Sequence, residues 1–327
     1  MMTQRDVLAG AGGVLLGAAR TDHAGRRAVL LVRGDEDTSE FVDLAATMGI
    51  VIVEVVKQRG REDPRTYLGR GRLDEVADLL RSAPVGHAWR GVDLVLFHAN
   101  ATPRQLVATS TVLEVEVWDR VRLLLALFTA HAASVEARTQ VRIARLRSDR
   151  TVLREVISQE TTGERAGYGG AGATGATEVL VALGREIEGL RRRLQRHARA
   201  QSERRRQRTR SGARTVGLAG YTNAGKSTLL NALTGATVLA EDKLFATLDP
   251  TTRRLRFPDE RELVLTDTVG FIRDLPPDLV TAFKATLEEL EEADLLLHVV
   301  DISNPAFEEQ IEAVERILEE LELQALE

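Results

Sequence analysis

The stretch Gly220-Tyr221-Thr222-Asn223-Ala224-Gly225-Lys226-Ser227-Thr228 leaves this chain little freedom in what it folds into. It reads G-x-x-x-x-G-K-S, a phosphate-binding loop. Such a loop works between a strand and a helix, and both are spelled beside it. RTVGLA (214–219) is a short β-prone run, and STLLNAL (227–233) opens a helical pattern. The glycines let successive backbone N–H groups point inward at phosphate oxygens. In that frame Lys226 reaches the β- and γ-phosphates, and the Ser227 hydroxyl ligates Mg²⁺. The competing reading is a chance glycine-rich turn. The flanking elements and a second motif weigh against it.

That second motif is Leu263-Val264-Leu265-Thr266-Asp267-Thr268-Val269-Gly270. An apolar strand ends in a carboxylate that can hold the water shell of Mg²⁺. Three residues on, the Gly270 N–H can meet a γ-phosphate and sense its loss. Between the motifs lies Phe245-Ala246-Thr247-Leu248-Asp249-Pro250-Thr251-Thr252-Arg253-Arg254. A threonine here can complete the metal shell in the first switch. The residues alone leave Thr247, Thr251 and Thr252 all open.

The set GYTNAGKST, FATLDPTTRR and DTVGFI resembles the HflX-type GTPases of the translation-factor-related class. The resemblance implies that Thr247 completes the Mg²⁺ shell, with Ser227 direct and Asp267 through water. It implies a nucleotide surface built from Gly220 to Thr228, from Phe245, Ala246, Thr247, Leu248 and Asp249, and from Asp267, Thr268, Val269 and Gly270. Lys226, Thr247 and Gly270 would stand nearest the reaction. It also implies GTP as substrate, GDP as product and the large ribosomal subunit as partner. Ras-like enzymes orient the attacking water with a glutamine in the second switch. The residue after Gly270 is Phe271, which cannot do so, and this family also carries an apolar residue there. Unaided hydrolysis is therefore expected to be slow.

Upstream, strand and helix patterns alternate from about Arg26 to Arg120. Apolar runs at 28–32, 50–56, 92–97 and 115–118 read as strands. Helical patterns fall at 40–48, with Thr38 or Ser39 as cap, and at 73–80, with Leu73, Val76, Leu79 and Leu80 inward. A further helix opens at Thr102-Pro103. This predicts a small parallel sheet covered on both faces. Within it Thr66-Tyr67-Leu68-Gly69-Arg70-Gly71-Arg72 resembles a motif of the same family. A Gly-x-Gly turn opening a helix can hold an anion beside Arg70 and Arg72; the plainer reading is a helix start with solvated arginines.

From Trp118 to about Ser158 no proline or glycine interrupts the chain. Val121, Leu124, Leu125, Phe128, Ala132, Val135, Thr139, Ile143 and Leu146 step by three and four, one stripe of a long helix. VWDRVRLLLALF and EARTQVRIARL resemble the family's linker helix. Six glycines between Gly163 and Gly175 predict a flexible loop. A second helix follows, striped by Val179, Leu180, Leu183, Ile187, Leu190 and Leu194, so the two form an antiparallel hairpin. The family carries Gly-Pro-Gly-Glu-Thr-Gln at this loop; here GYGGAGATGATE has neither the proline nor the glutamine. Between Arg185 and Arg214 stand twelve arginines against three glutamates. A basic face on a hairpin, in a chain of net charge −5, fits an RNA backbone. A charge run is otherwise a solvated face. No aromatic ladder accompanies it, which argues against base stacking.

LLLHVVD (295–301) reads as a buried strand. Phe307 to Leu323 reads as an acidic helix with Ile311, Val314, Ile317, Leu318 and Leu321 inward. Guanine selectivity in this class uses Asn-Lys-x-Asp. The only lysines are Lys57, Lys226, Lys243 and Lys284, and none is followed by x-Asp. The expected fold class is α/β: an N-terminal parallel-sheet domain over 1–120, a helical hairpin over 121–210, and a C-terminally incomplete P-loop GTPase domain over 211–327. The expected function is a GTP-hydrolysing, Mg²⁺-dependent switch on the large subunit. The alternative is a catalytically impaired RNA- or ribosome-binding remnant; an ATP-specific enzyme is disfavoured by DTVG. With no cysteine, disulfides are excluded. No apolar run is long enough for a membrane span; residues 8–19 are small and apolar but glycine-rich, with a weak basic leader and no clear cleavage site, so a signal peptide is not expected. A monomer in a reducing cytoplasm is expected.

Overall fold

The computed structural model describes residues 23–163, 170–209, 214–235, 245, 251–256, 262–275, 279, 280, 290 and 293–320. The chain divides into two compact units, Met1–Ala130 with Arg145–Glu188, and His131–Ala144 with Gly189–Glu327. No described helix is long and apolar enough to cross a membrane.

The first unit is built on four parallel strands: β1 (Arg27–Arg33), β2 (Val51–Gln58), β3 (Leu94–Phe97) and β4 (Glu116–Trp118). Their order is β2-β1-β3-β4. Ala28 to Val32 are wholly buried, as a central strand covered on both faces must be. The crossovers are α1 (Ser39–Thr47), α2 (Arg70–Ser82) and α3 (Pro103–Leu113). Thr102 caps α3 in a capping box with Gln105, followed by the expected proline. Thr38 occupies the cap position of α1 but makes no side-chain cap. Asp37 instead accepts from the Ser39 N–H and hydroxyl. On α2, Leu73, Val76 and Ala77 are buried. Leu79, expected inward, is 38% exposed; it stands about 100° from Leu80 and beyond the buried stripe.

The expected single long helix is two. α4 (Arg120–His131) and α5 (Val135–Gly163) part at 132–134. Ser134 starts the second, its Oγ accepting from the Ala137 N–H at 3.0 Å. Arg138 Nε donates to the Ala132 carbonyl at 2.9 Å and satisfies the end of the first. Val135, expected in the stripe, is therefore half exposed. α4 buries Leu123, Leu124, Leu125, Leu127 and Phe128, and Val152 and Val156 of α5 join the core beneath the sheet.

The glycine run also differs from expectation. α6 (Gly170–Thr209) includes Gly170, Gly172 and Gly175; residues 164–169 lie outside the described set. Each helical glycine costs only about 1 kcal/mol against alanine, which a 40-residue helix can absorb. An ideal Cβ at Gly184 would sit 3.8 Å from the Arg150 guanidinium. That meeting fits an antiparallel pairing of α5 with α6. Leu183 and Ile187 of the predicted stripe are buried.

The second unit carries β5 (Arg214–Gly220), α7 (Lys226–Thr234), β6 (Thr251–Arg256), β7 (Glu262–Asp267), β8 (Leu295–Val299) and α8 (Phe307–Glu320). The order is β6-β7-β5-β8. β5 lies between parallel β7 and β8, while β6 runs antiparallel to β7. On α8, Ala313, Val314 and Ile317 are buried; Leu321 lies outside the described residues. β8 is not the buried strand its composition predicts: Leu295 is 46% and Leu297 38% exposed. Among the described residues it pairs with β5 alone.

Candidate active site

Strand β5 delivers the loop. At its end Gly220 lies so close to β8 that a Cβ would fall 2.3 Å from the Val299 carbonyl oxygen. Only glycine permits that approach. The loop then turns through two left-handed residues, Asn223 (φ 60°) and Gly225 (φ 89°). Gly225 is the cap position of α7, and no side chain caps that helix. The first-turn N–H groups of α7 are thus those a phosphate would meet. Asn223 and Thr228 are exposed on the loop and helix; Thr222 is buried and Ala224 half-buried.

Lys226 is buried, 6% exposed. Its Nζ donates to the carbonyls of Gly220 at 3.0 Å and Tyr221 at 2.7 Å. Burial pulls its pKa down to about 8, against the attraction of Asp267. Ser227 Oγ donates to Asp267 Oδ2 at 2.5 Å, and Asp267 is wholly buried. The structure therefore brings together the lysine, serine and aspartate that the sequence placed forty residues apart.

β7 pairs with β5 up to Leu218↔Asp267. The chains pair again at Tyr221↔Phe271. The β7 side uses four steps where β5 uses three, so Thr268, Val269 and Gly270 form a bulge. Thr268 Oγ1 ties this bulge to the Leu218 carbonyl at 2.8 Å. Gly270 abuts Thr222, where a Cβ would lie 2.6 Å from the Thr222 Cα. Beyond it, the Phe271 N–H donates to the Gly220 carbonyl at 3.1 Å and the Phe271 carbonyl accepts from Thr222 at 2.7 Å. Val269 and Phe271 are buried.

From the first switch, Phe245 is buried, and its N–H donates to Thr222 Oγ1 at 2.8 Å. Ala246, Thr247, Leu248 and Asp249 lie outside the described residues. Thr251 and Thr252 stand in β6, opposite Asp267 and Thr266, and the Thr252 and Thr266 hydroxyls meet at 3.4 Å.

The donor set suits a hard divalent cation: a hydroxyl and a carboxylate oxygen side by side next to a phosphate cradle. Among the described residues no group of three or more His, Cys, Asp or Glu is placed to hold a metal. Mg²⁺ needs no such cage, because it commonly uses one or two protein oxygens together with phosphate and water.

Sequence reading placed Tyr221 only as part of the nucleotide loop and did not single out His298. Tyr221 filled a permissive loop position, yet it is buried and its hydroxyl accepts from the Arg273 N–H at 2.9 Å. His298 stands on β8 opposite Ala219. Burial holds its pKa down, Glu315 opposes this, and the Lys226 charge adds to it. The signal for His298 was a lone imidazole in the apolar run LLLHVVD.

The comparisons agree with this geometry. Residues 215–326 match the family described as "50S ribosome-binding GTPase", and residues 35–129 match "GTP-binding GTPase N-terminal". The chain is 40% identical over 294 residues to GTPase HflX of Caldanaerobacter subterraneus subsp. tengcongensis, covering 88% of this chain and 66% of that protein. With GTPase HflX of Lacrimispora saccharolytica it shares 40% over 308 residues, 90% of this chain and 69% of the relative. With that of Escherichia coli K12 it shares 40% over 293 residues, covering 88% and 66%. It thus spans about two thirds of the length of these relatives. A crystal structure of SsGBP with GDP has the same fold, with TM-score 0.51 and 24% identity over 90% of this chain and 78% of that one. Carrying both domain signatures and this degree of identity, the chain belongs to the HflX GTPase family.

Proposed function

We propose that this protein binds GTP with Mg²⁺, hydrolyses it, and uses the cycle to switch its grip on the large ribosomal subunit. The observation that carries the nucleotide half is the convergence of Lys226, Ser227 and Asp267 at the end of β5. Lys226 would exchange its two carbonyl partners for β- and γ-phosphate oxygens, which compensate a buried cation far better. Ser227 would hold the metal directly, Asp267 through water, and Thr247 would close the shell. When bound, the metal neutralises charge on the β- and γ-oxygens. Gly270, held against Thr222, would offer its N–H to the γ-phosphate. Phe271 is buried and offers no side-chain atom to orient water. Catalytic help would come from backbone groups and from the ribosomal partner.

The ribosomal half rests on the family description and on α6, where Arg192, Arg193 and Arg196 are exposed and Arg191 half-buried. In this reading residues 1–120, 121–210 and 211–327 act as N-terminal domain, RNA-contacting hairpin and motor, in the cytoplasm. The test is GTP hydrolysis with and without large subunits, paired with sedimentation. Large subunits should accelerate hydrolysis. Replacing Arg191, Arg192 and Arg193 with Glu should weaken co-sedimentation, and wild-type binding should fall steeply with salt. Co-sedimentation without any hydrolysis would mark an impaired RNA-binding protein instead.

A further inference from the structure

We propose that Tyr221 is a positioning residue for the second switch: its buried hydroxyl holds the Arg273 amide and so fixes the bulge that presents Gly270 to a γ-phosphate. The inference rests on the GTPase reading above and adds to it a residue that the loop motif does not require. Position 221 is open in G-x-x-x-x-G-K-S, and a loop that merely cradles phosphate has no use for a buried phenol.

What the phenol does is visible in the pairing. The bulge at 268–270 is pinned on its near side by Leu218↔Asp267. On its far side it is pinned by the two backbone bonds of Phe271 to Gly220 and Thr222. Those two bonds stand at the end of the ladder, where fraying begins. Directly after them the chain turns away through Asp274, a left-handed residue with φ 51°. The Tyr221 hydroxyl takes the Arg273 N–H at 2.9 Å just before that turn. It is a bond from the phosphate loop to the departing switch beyond the end of the ladder. The residue is 4% exposed, so the hydroxyl is held in a packed place. The Arg273 side chain points elsewhere, to Glu309 of α8 at 2.8 Å. That pair is solvent-exposed, and exposed pairs contribute little.

Losing the hydroxyl would leave the Arg273 amide without its acceptor and fray the far side of the bulge. Gly270 would lose its fixed seat against Thr222. Since only a γ-phosphate would touch Gly270, the damage should fall on triphosphate recognition and hydrolysis, and spare the diphosphate.

The experiment compares wild type with Tyr221→Phe, which keeps the ring and removes one atom. Affinities for GDP and for a non-hydrolysable GTP analogue are measured on the full chain, together with single-turnover hydrolysis and hydrogen exchange at the Arg273 amide. Expected are GDP affinity within about twofold, a preference for the triphosphate reduced about five- to tenfold, a hydrolysis rate reduced by a similar factor, and faster exchange at Arg273. Arg273→Ala retains the backbone N–H and should keep the wild-type preference. An unchanged triphosphate preference in Tyr221→Phe overturns the proposal. So does an equal loss of both nucleotides, which is what a merely structural tyrosine would give. A loss in Arg273→Ala equal to that in Tyr221→Phe overturns it too, by moving the role to the Glu309 pair. Lys226→Ala separates the premises: if that variant binds nucleotide normally, the phosphate-loop reading fails, whatever Tyr221 does.

Discussion

The two units solve the same construction problem and reach opposite ends. Each has a sheet with a parallel core, the second carrying antiparallel β6 at its edge, and in each a glycine turn opens a helix beyond the strands: Gly69 before α2, Gly225 before α7. In the first unit the turn is filled from within. The Gly69 N–H is taken by Gln58 Oε1 at 2.8 Å. Tyr67 is buried, stacked on Phe97 with ring centroids 4.6 Å apart. Burial pushes its phenol pKa up to about 12. Arg72 is paired with Glu75 at 2.6 Å. In the second unit a buried lysine, a hydroxyl and a buried carboxylate converge on the turn. Both turns put glycine before a helix start. The phosphate site is distinguished by desolvated charge gathered there from two chain segments, the loop with its helix start and the end of β7.

The comparison breaks most visibly at its charged end. Lys226→Ala removes the buried cation. Deleting one partner of such a contact costs about 2–5 kcal/mol, so triphosphate affinity should fall roughly thirtyfold to a few thousandfold. Calorimetry with GTP and Mg²⁺ checks it, and unchanged affinity would discard the phosphate-loop assignment. Ser227→Ala should retain part of the affinity but lose most of its dependence on Mg²⁺.

At the other turn the same logic predicts stability without ligand effects. Tyr67→Ala empties a packed site in the core beneath β1 and β3. Truncating a buried aromatic to alanine costs about 3–5 kcal/mol. The first unit should melt well below wild type, while nucleotide affinity at the phosphate loop, measured below that transition, stays put. A change in nucleotide affinity without loss of stability would show that the first turn is functional after all.

These contrasts also mark what the residues alone disclose. The strand-loop-helix of the phosphate site, the parallel N-terminal sheet and the Thr102 cap were all legible, because each is a local pattern with a local cause. The join between α4 and α5 was not. Ser134 is a good cap, yet it follows two alanines and is followed by helix formers, so nothing local ends the first helix. The Arg138 contact to Ala132 supplies the ending, and that is a matter of side-chain reach. Leu295 and Leu297 misled for a different reason. A run of leucines states that a strand is apolar, but its neighbours decide how much of it is covered. The role of Tyr221 was illegible because the partner of its hydroxyl is a main-chain N–H 52 residues away.

A smaller effect sharpens the electrostatic side of the comparison. Lys226 titrates at about 8 here against 10.5 when unperturbed. A depressed lysine contributes relative stability that is full above pH 10.5 and is lost as pH falls through about 8. Phosphate oxygens reverse the preference and restore the charge. Nucleotide binding at pH 8.0 with saturating Mg²⁺ should therefore take up about half a proton, and only about a tenth at pH 7.0. Binding enthalpies in two buffers of different ionisation enthalpy give the uptake directly. No buffer dependence at pH 8.0 would mean that Lys226 is already fully charged before nucleotide arrives, so that its two carbonyl partners compensate it better than burial penalises it.

The smallest effect is expected at Phe271, which stands where other enzymes place the water-orienting glutamine. Its backbone and its ring have separable jobs. The backbone N–H and carbonyl are both committed to the phosphate loop, at Gly220 and Thr222, and any L-residue can make those bonds. The ring is buried, 2% exposed, and fills space. Phe271→Leu keeps both backbone bonds and most of the apolar volume, at a cost under about 1.5 kcal/mol in stability. Basal hydrolysis should then stay within about threefold of wild type, since no interaction special to the transition state is removed. A fall beyond about tenfold, with nucleotide affinity and melting temperature intact, would show that the ring itself contributes to the chemistry. In that case the second switch would work through an apolar side chain as well as through its main chain, and the account of Gly270 as the second switch's contact to the γ-phosphate would need the ring beside it.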